Sequence, residues 1–139
     1  MVLLYPVIFT ATHDKKDTYL VYIPDLDGMT EGRGLKDAIR MARDYMGCSL
    51  YQKKDELIPS AKALSQVKAS KSPFYKKEKA SDSFVSLVDF DLDAYRKMMN
   101  KKSVRRNVSI PAWLDQAAEE AHINVSRVLQ DALMEKLNL

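Results

Sequence analysis

The sequence predicts an α+β protein in which a small antiparallel sheet with a packed helix precedes a separate tail. Three observations support this prediction. Two β-rich runs flank a polar link near the start of the chain, an amphipathic helix follows them, and residues 103–139 read as one polar strand and two more amphipathic helices. The chain of 139 residues has room for one domain or two small ones.

The first predicted unit is an antiparallel hairpin. Residues 2–10 and 19–23 are rich in β-branched and aromatic side chains, and residues 13–17 between them are polar. Residues 24–28 are expected to end the second strand, because proline lacks a backbone donor and Asp-Gly favours a tight turn. Residues 29–31 are expected to form a short third strand.

A helix is predicted from about residue 35 to residue 53, where the apolar period changes from two to 3.6. We expect it to cover one side of the sheet. Its expected buried face consists of Leu35, Ala38, Ile39, Ala42, Tyr45, Met46 and Leu50.

Residues 60–83 show little periodicity and are interpreted as a long loop with one helical turn around residues 61–67. Residues 61–79 contain six Lys against one Glu. For the run from Lys71 to Lys79, a flexible solvated loop is favoured over a contact with nucleic acid. Residues 84–90 predict a strand that completes a sheet of three or four strands. Residues 91–99 then predict a short helix, with Asp91 as its N-cap.

Composition excludes several classes of protein. The chain is 46% hydrophobic and 29% charged with a net charge of +3, which is typical of an ordinary globular protein. A single cysteine, Cys48, excludes an internal disulfide framework, and we expect it to be a small helix residue. His13 and His122 are isolated, so neither a metal site nor a cofactor is expected. Without a leader or a membrane span, the predicted location is the cytoplasm.

Residues 100–102 are the expected hinge between a domain of residues 1–99 and a domain of residues 103–139. In the second domain, strand alternation predicts two faces. One face carries Ser103, Arg105, Asn107 and Ser109, and the other carries Val104, Arg106, Val108 and Ile110. Pro111 suits the first turn of a helix, and Asn124 is the expected N-cap of the next. The two helices have apolar stripes at Trp113, Leu114, Ala117, Ala118 and Ala121, and at Val125, Val128, Leu129, Ala132, Leu133 and Leu137. A piece this small cannot bury its own apolar face, so we expect a homodimer.

This tail resembles the ribbon-helix-helix family of bacterial repressors, through Arg105-Asn-Val-Ser-Ile-Pro111 and the sequence from Asn124 to Leu133. The resemblance implies that strands of two subunits pair and enter the major groove of operator DNA. The implied base-reading residues are Arg105, Asn107 and Ser109, the implied phosphate contacts lie around Asn124, Val125 and Ser126, and Lys101 and Lys102 can add phosphate binding. His122 departs from the family, which often places Gly in the turn between the helices.

The whole chain resembles the HicB antitoxins that carry such a tail. The residues that carry this resemblance are Tyr5-Pro-Val-Ile-Phe9, Ile23-Pro-Asp-Leu-Asp-Gly28, Gly34-Leu-Lys-Asp-Ala38 and Val88-Asp-Phe-Asp-Leu-Asp-Ala-Tyr-Arg96. The resemblance implies a degenerate ribonuclease-H-like first domain without a required metal centre. It also implies a protein that neutralises a HicA-type toxin, a small basic ribonuclease that cleaves mRNA, and that represses its own operon.

A basic toxin would favour an acidic docking surface. Asp14, Asp25, Asp27 and Glu31 are the candidates, which we expect to cluster near the hairpin, although a turn-forming role is favoured for Asp27. Two other functions remain open. One is a ligand-sensing repressor, which needs an enclosed polar pocket, and the other is a metal-dependent ribonuclease, which is less favoured because the carboxylates sit in turns.

Overall fold

The computed structural model describes residues 1–14 and 17–139, so the predicted turn at residues 13–17 lies partly outside the described residues. In the described part, four strands form one antiparallel sheet in the order β3-β2-β1-β4. The strands are β1 (Val2–Ala11), β2 (Thr18–Ile23), β3 (Gly28–Arg33) and β4 (Ser83–Asp91). The helices are α1 (Gly34–Leu50), α2 (Leu92–Met99), α3 (Ala112–Glu120) and α4 (Val125–Leu137). The predicted α+β class and the antiparallel sheet with a packed helix are confirmed.

One face of the sheet packs on α1. Tyr5, Val7 and Phe9 of β1 are fully buried there with apolar residues from the other elements of this unit. The predicted buried face of α1 is confirmed at Ala38, Ala42, Met46 and Leu50, and Ile39 and Tyr45 pack at its margin. It is wrong at Leu35, which remains 39% exposed because the helix begins at the edge of the sheet, directly after β3.

Two boundaries differ from the sequence prediction. The third strand is longer than predicted and runs from Gly28 to Arg33. A Cβ at Gly32 would lie 2.4 Å from the backbone nitrogen of Ala38, so a larger residue would not fit between this strand and α1. A glycine therefore extends the strand while α1 packs closely against it. The helix α1 ends at Leu50, three residues earlier than predicted, and Arg96 of α2 donates to the Tyr51 carbonyl just beyond that end at 3.2 Å.

The second face of the sheet is also covered. Pro6 and Ile8 alternate with the core residues of β1 and are fully buried on the side away from α1. Residues 61–82 pass over this side and form short 3-10 turns at Leu64–Gln66, Ala69–Lys71 and Lys77–Asp82. The first of these turns confirms the helical turn predicted around residues 61–67. Val67 and Ser72, which belong to this segment, are buried. The prediction of a simply solvated loop is therefore wrong for the side chains that face the sheet.

The chain divides into two compact units, Met1–Lys101 and Lys102–Leu139. The first contains the sheet with α1 and α2. At the start of α2, the side chain of Asp91 accepts a hydrogen bond from the Ala94 nitrogen at 3.0 Å, which confirms the predicted N-cap. The second unit contains α3 and α4, and residues 102–111 before them form no strand within the single chain.

Candidate functional site

The second unit leaves its apolar side chains in solvent. In residues 102–139 every side chain is exposed except those of Ala118 and Leu129, which are half-buried. The exposed fraction is 71% for Trp113, 54% for Val128 and 50% for Leu133. Because burial of apolar surface is the main stabilising term in folding, this unit needs a second surface to cover its stripe.

The turn between α3 and α4 is left-handed at His122, the position where the resembled family often places Gly. His122 has φ of 55°, a conformation that residues with a Cβ adopt less readily than glycine. The nitrogen of Ile123 donates to the Ala118 carbonyl at 3.0 Å, and the nitrogen of His122 donates to the Glu119 carbonyl at 3.1 Å. This pattern closes α3 as a Schellman motif usually does with glycine.

The N-terminus of α4 is capped as predicted. The side-chain oxygen of Asn124 accepts a hydrogen bond from the Arg127 nitrogen at 3.1 Å. The first N–H groups of a helix have no partner within the helix. With Asn124 occupied by the cap, the N–H groups of Val125 and Ser126 are the ones that remain to hold an anion at this end.

The candidate base-reading residues lie in an extended, exposed segment. Arg105, Asn107 and Ser109 are all exposed, as are Lys101 and Lys102. None of the four basic residues at positions 101, 102, 105 and 106 makes an ion pair with a carboxylate that the structure describes. Their assignment to DNA stays a prediction, because a ribbon forms only when a second strand is present.

The four acidic candidates of the first unit do not cluster, and that part of the prediction is wrong. Asp25 and Asp27 lie in the turn after β2, whereas Asp14 lies beyond the other end of β1 and β2. Six residues of β2 separate the two ends by about 17 Å, since a strand rises roughly 3.3 Å per residue. Glu31 lies between them on the edge strand β3, opposite Leu20.

Asp25 and Asp27 both have structural partners. The hydroxyl of Tyr22 donates to Asp27 at 2.9 Å, and this hydrogen bond is the main cause that raises the pKa of Tyr22. Asp27 itself adopts a left-handed conformation with φ of 45°, which agrees with the favoured turn-forming role. Asp25 accepts long hydrogen bonds of 3.3 Å from the Lys62 nitrogen. Both carboxylates keep oxygen lone pairs for another partner.

The remaining titratable groups show structural roles. Cys48 lies on α1, as predicted, and its Sγ is 3.4 Å from the hydroxyl of Tyr95, a contact that is the main cause raising the pKa of Tyr95 to about 12. His13 is paired with Asp82 at 2.7 Å. Within residues 1–14 and 17–139, no group of three or more His, Cys, Asp or Glu side chains is placed to hold a metal ion. In the same residues, no helix has the length and apolarity to cross a membrane.

Comparison with known proteins decides the family. A family model described as the HicB_like antitoxin of bacterial toxin-antitoxin systems matches residues 5–133. The chain belongs to this family. The resemblance found in the residues of both units is thereby confirmed at the level of the HicB-like antitoxins, while the ribbon-helix-helix assignment of the tail stays a prediction.

Two solved structures are similar to this chain. A toxin-antitoxin complex from Streptococcus pneumoniae contains a chain that is 23% identical, with a TM-score of 0.60 over 98% of this chain and 99% of that one. The antitoxin HicB of Burkholderia pseudomallei is 22% identical, with a TM-score of 0.47 over 98% and 97% of the two chains. No curated protein matches the chain. At these identities the first likeness supports the fold alone.

The sequence did not reveal what covers the second face of the sheet. A signal was present, because residues 2–9 are almost continuously apolar, and such a strand is buried on both faces. A half-exposed strand would have alternated. The segment that supplies the cover has only scattered apolar residues and could not have been recognised from its own pattern.

Proposed function

We propose that this HicB-like antitoxin acts in the cytoplasm, where it neutralises a HicA-type mRNA-cleaving toxin and represses its own operon as a homodimer. The observation that carries the proposal is the family match over residues 5–133. The first unit holds the toxin, and the second dimerises and binds operator DNA. Neutralisation is steric, so the antitoxin needs no chemistry of its own.

Exposure of the apolar stripe supports dimerisation through residues 103–139. Trp113, Val128 and Leu133 are half-exposed or more in the single chain, yet they lie at helical spacing on two amphipathic helices. A second copy offers the same stripe and can cover it by a twofold arrangement. The extended residues before α3 would then pair as an antiparallel ribbon, which also satisfies their backbone groups.

The ribbon has suitable chemistry for DNA. Arg105 can donate two hydrogen bonds to guanine and Asn107 can pair with adenine, each worth about 1–3 kcal/mol of discrimination. Ser109 can bond either kind of base. Lys101, Lys102 and the first N–H groups of α4 after Asn124 would hold phosphates and fix the register.

A toxin surface on the first unit is best placed at the edge strand β3 and the turn before it. Asp25, Asp27 and Glu31 bring three carboxylates to this side, which suits a basic partner. Asp14, at the opposite end of the hairpin, would contact the toxin only if the interface follows the length of β2 and β3. An edge strand also offers unpaired backbone groups to a partner.

Co-expression tests neutralisation. The wild-type chain should restore the growth of cells that express the adjacent small basic protein. A variant with Asp25→Asn, Asp27→Asn and Glu31→Gln should restore it less, because it removes three charges while Asn still suits the turn. A matched variant with Asp44→Asn, Asp115→Asn and Glu119→Gln, all outside this surface, should rescue fully. Failure of the wild-type chain to rescue overturns the antitoxin assignment to that toxin.

Two adjacent arginines test the ribbon. Strand alternation places Arg105 and Arg106 on opposite faces, so Arg105→Ala should lower the preference for the promoter duplex about tenfold or more, and Arg106→Ala should leave that preference unchanged. The measurement is the ratio of dissociation constants for the duplex upstream of the reading frame and an unrelated duplex. Equal loss of the ratio in both variants contradicts the assigned faces.

A further inference from the structure

The first unit carries a basic surface that the proposed function does not use. Residues 61–79, called the basic segment here, contain six lysines and one glutamate. The six are Lys62, Lys68, Lys71, Lys76, Lys77 and Lys79, and all are exposed. The segment therefore adds a net charge of +5 to the sheet face opposite α1, although the whole chain carries only +3.

The basic segment is attached to the sheet at several points. Val67 and Ser72 of the segment are only 7% and 5% exposed, so both are buried. The nitrogen of Lys62 donates to Asp25, in the turn after β2, at 3.3 Å. Within the segment, the side chain of Gln66 accepts from the Ala63 nitrogen at 2.9 Å and orders the backbone locally. These contacts fix the backbone, so that the lysines project from a defined surface.

The lysines of the segment differ in their ion pairing from three arginines of the same unit. Arg40, Arg43 and Arg96 are each paired with an aspartate at 2.6–2.8 Å. No lysine of the segment makes an ion pair with a carboxylate that the structure describes. The nearby Asp82 is already paired with His13. The described carboxylates that form ion pairs in this unit are therefore not paired with these lysines, whose charge is available to a partner.

Two clefts on this side are each lined by a pair of these lysines. Lys62 and Lys71 line a cleft of about 210 Å³ beside Tyr22 and Pro24. Lys76 and Lys79 line a smaller one of about 80 Å³, which His13 and the carboxylates of Asp14 and Asp82 also line. The lining of the larger cleft contains no carboxylate, so its two ammonium groups suit the oxygens of a phosphate group, which accept several hydrogen bonds at once.

We infer that the basic segment is a second, sequence-independent contact for the phosphate backbone of double-stranded DNA. A net charge of +5 suits a polyanion, and the segment has no exposed aromatic ring, which favours a duplex. Proteins that bind single strands stack bases on aromatic side chains, but the two aromatic residues of the segment, Phe74 and Tyr75, are half-buried. The segment goes beyond the ribbon contact proposed above and does not depend on it.

This contact has a measurable signature. Each phosphate neutralised by a lysine steepens the fall of log K with log salt concentration by about 0.9. Loss of three such contacts therefore lowers the slope by up to about 2.7. Because phosphates carry no sequence, the loss should weaken binding to the promoter duplex and to an unrelated duplex by the same factor.

The test uses the full chain and two matched triple variants. The first is Lys68→Gln, Lys71→Gln and Lys76→Gln in the basic segment. The second is Lys36→Gln, Lys53→Gln and Lys54→Gln, which removes the same charge from exposed positions on α1 and just after it. Binding to the promoter duplex, to an unrelated duplex of equal length and to poly-U RNA is measured over a range of salt concentrations.

A lower salt slope on both duplexes for the first variant, with the slope of the second variant unchanged, is the expected result. Equal slopes for the two variants overturn the inference. Loss of RNA binding in the first variant with an unchanged duplex slope overturns it too and assigns the surface to single-stranded RNA. If the wild-type chain does not prefer the promoter duplex, only the ribbon proposal fails. The contact of the basic segment is measured by the salt slope, which either duplex can provide.

Discussion

The two units of this antitoxin solve the burial of apolar surface in opposite ways. In Met1–Lys101 the sheet is covered on both faces, and residues such as Tyr5, Ile8 and Phe9 are completely buried within one chain. In Lys102–Leu139 the apolar stripe of two helices stays in solvent. The first unit can therefore be stable by itself, whereas the stability of the second should depend on protein concentration.

The fluorescence of the chain separates the two units. The single Trp of the sequence, Trp113, lies in the second unit, and all seven Tyr lie in the first. Tryptophan emission therefore reports on the second unit, and the near-ultraviolet circular dichroism of tyrosine reports mainly on the first. The stabilities of the two units can therefore be measured separately with these two signals.

The largest effect is expected from two leucines of equal exposure. Leu133 is 50% exposed and Leu4 is 49% exposed. If a second copy buries Leu133, then Leu133→Ala should destabilise the second unit by about 2–5 kcal/mol, whereas Leu4→Ala should cost the first unit less than about 1 kcal/mol. Denaturant titrations at several protein concentrations measure both. Equal small costs would remove the reason for a dimer.

The next effect concerns the packing of α1 on β3 in the first unit. A Cβ at Gly32 would lie 2.4 Å from the backbone of Ala38, which cannot move as a side-chain end could. Gly32→Ala should therefore destabilise the first unit by about 1–3 kcal/mol. Gly34 has φ of 78° with open space around its Cβ position, so Gly34→Ala should cost only the backbone strain of about 1–2 kcal/mol. A cost at Gly34 above that at Gly32 contradicts the close packing.

A smaller effect is expected at the turn of the second unit. His122 has φ of 55°, a conformation that costs a residue with a Cβ about 1–2 kcal/mol. His122→Gly should raise the stability of the second unit by up to about 1 kcal/mol, after the greater entropy of glycine in the unfolded chain is subtracted. His122→Ala serves as the control and should show no gain. Tryptophan emission in denaturant measures both, and equal stability of the two variants would show that the turn is unstrained.

The smallest effect is the acid sensitivity of the first unit. A hydrogen bond with Arg43 lowers the pKa of Asp89, and hydrogen bonds from the Arg33 nitrogen and then Arg40 lower the pKa of Asp37. A pKa that is lower in the folded chain gives stability that is complete above the ordinary range of aspartate and is lost as the pH falls through the folded value.

The side chain of Asp89 is 64% exposed and that of Asp37 is 34% exposed, so solvent screening keeps this effect small. Denaturation of the first unit at falling pH should show a shallower loss of stability for Asp89→Asn than for the wild type. Asp44→Asn, which removes a charge from α1 next to Arg43, serves as the control and should follow the wild type. A wild-type profile for Asp89→Asn would mean that its pair with Arg43 contributes nothing.

Local patterns predicted most of the elements. The hairpin, the strand that became β4, and the N-caps Asp91 and Asn124 follow from propensity, period and capping chemistry, which act over a few residues. The left-handed conformation of His122 agrees with the glycine that the resembled ribbon-helix-helix family often has at this turn. The clustering of the acidic candidates was wrong for a local reason, because the predicted hairpin already places Asp14 before β2 and Asp25 after it, at opposite ends of that strand.

The sequence by itself determined the class of the first unit, the order of its elements, and the unsatisfied apolar stripe of the second, because hydrophobic period and turn chemistry are local properties. Only the tertiary structure decided that residues 61–82 close the second face of the sheet and carry their lysines outward. That outcome depends on burial of Pro6 and Ile8 against residues distant in sequence. Packing between distant residues leaves no regular period, so the chain alone could not show it.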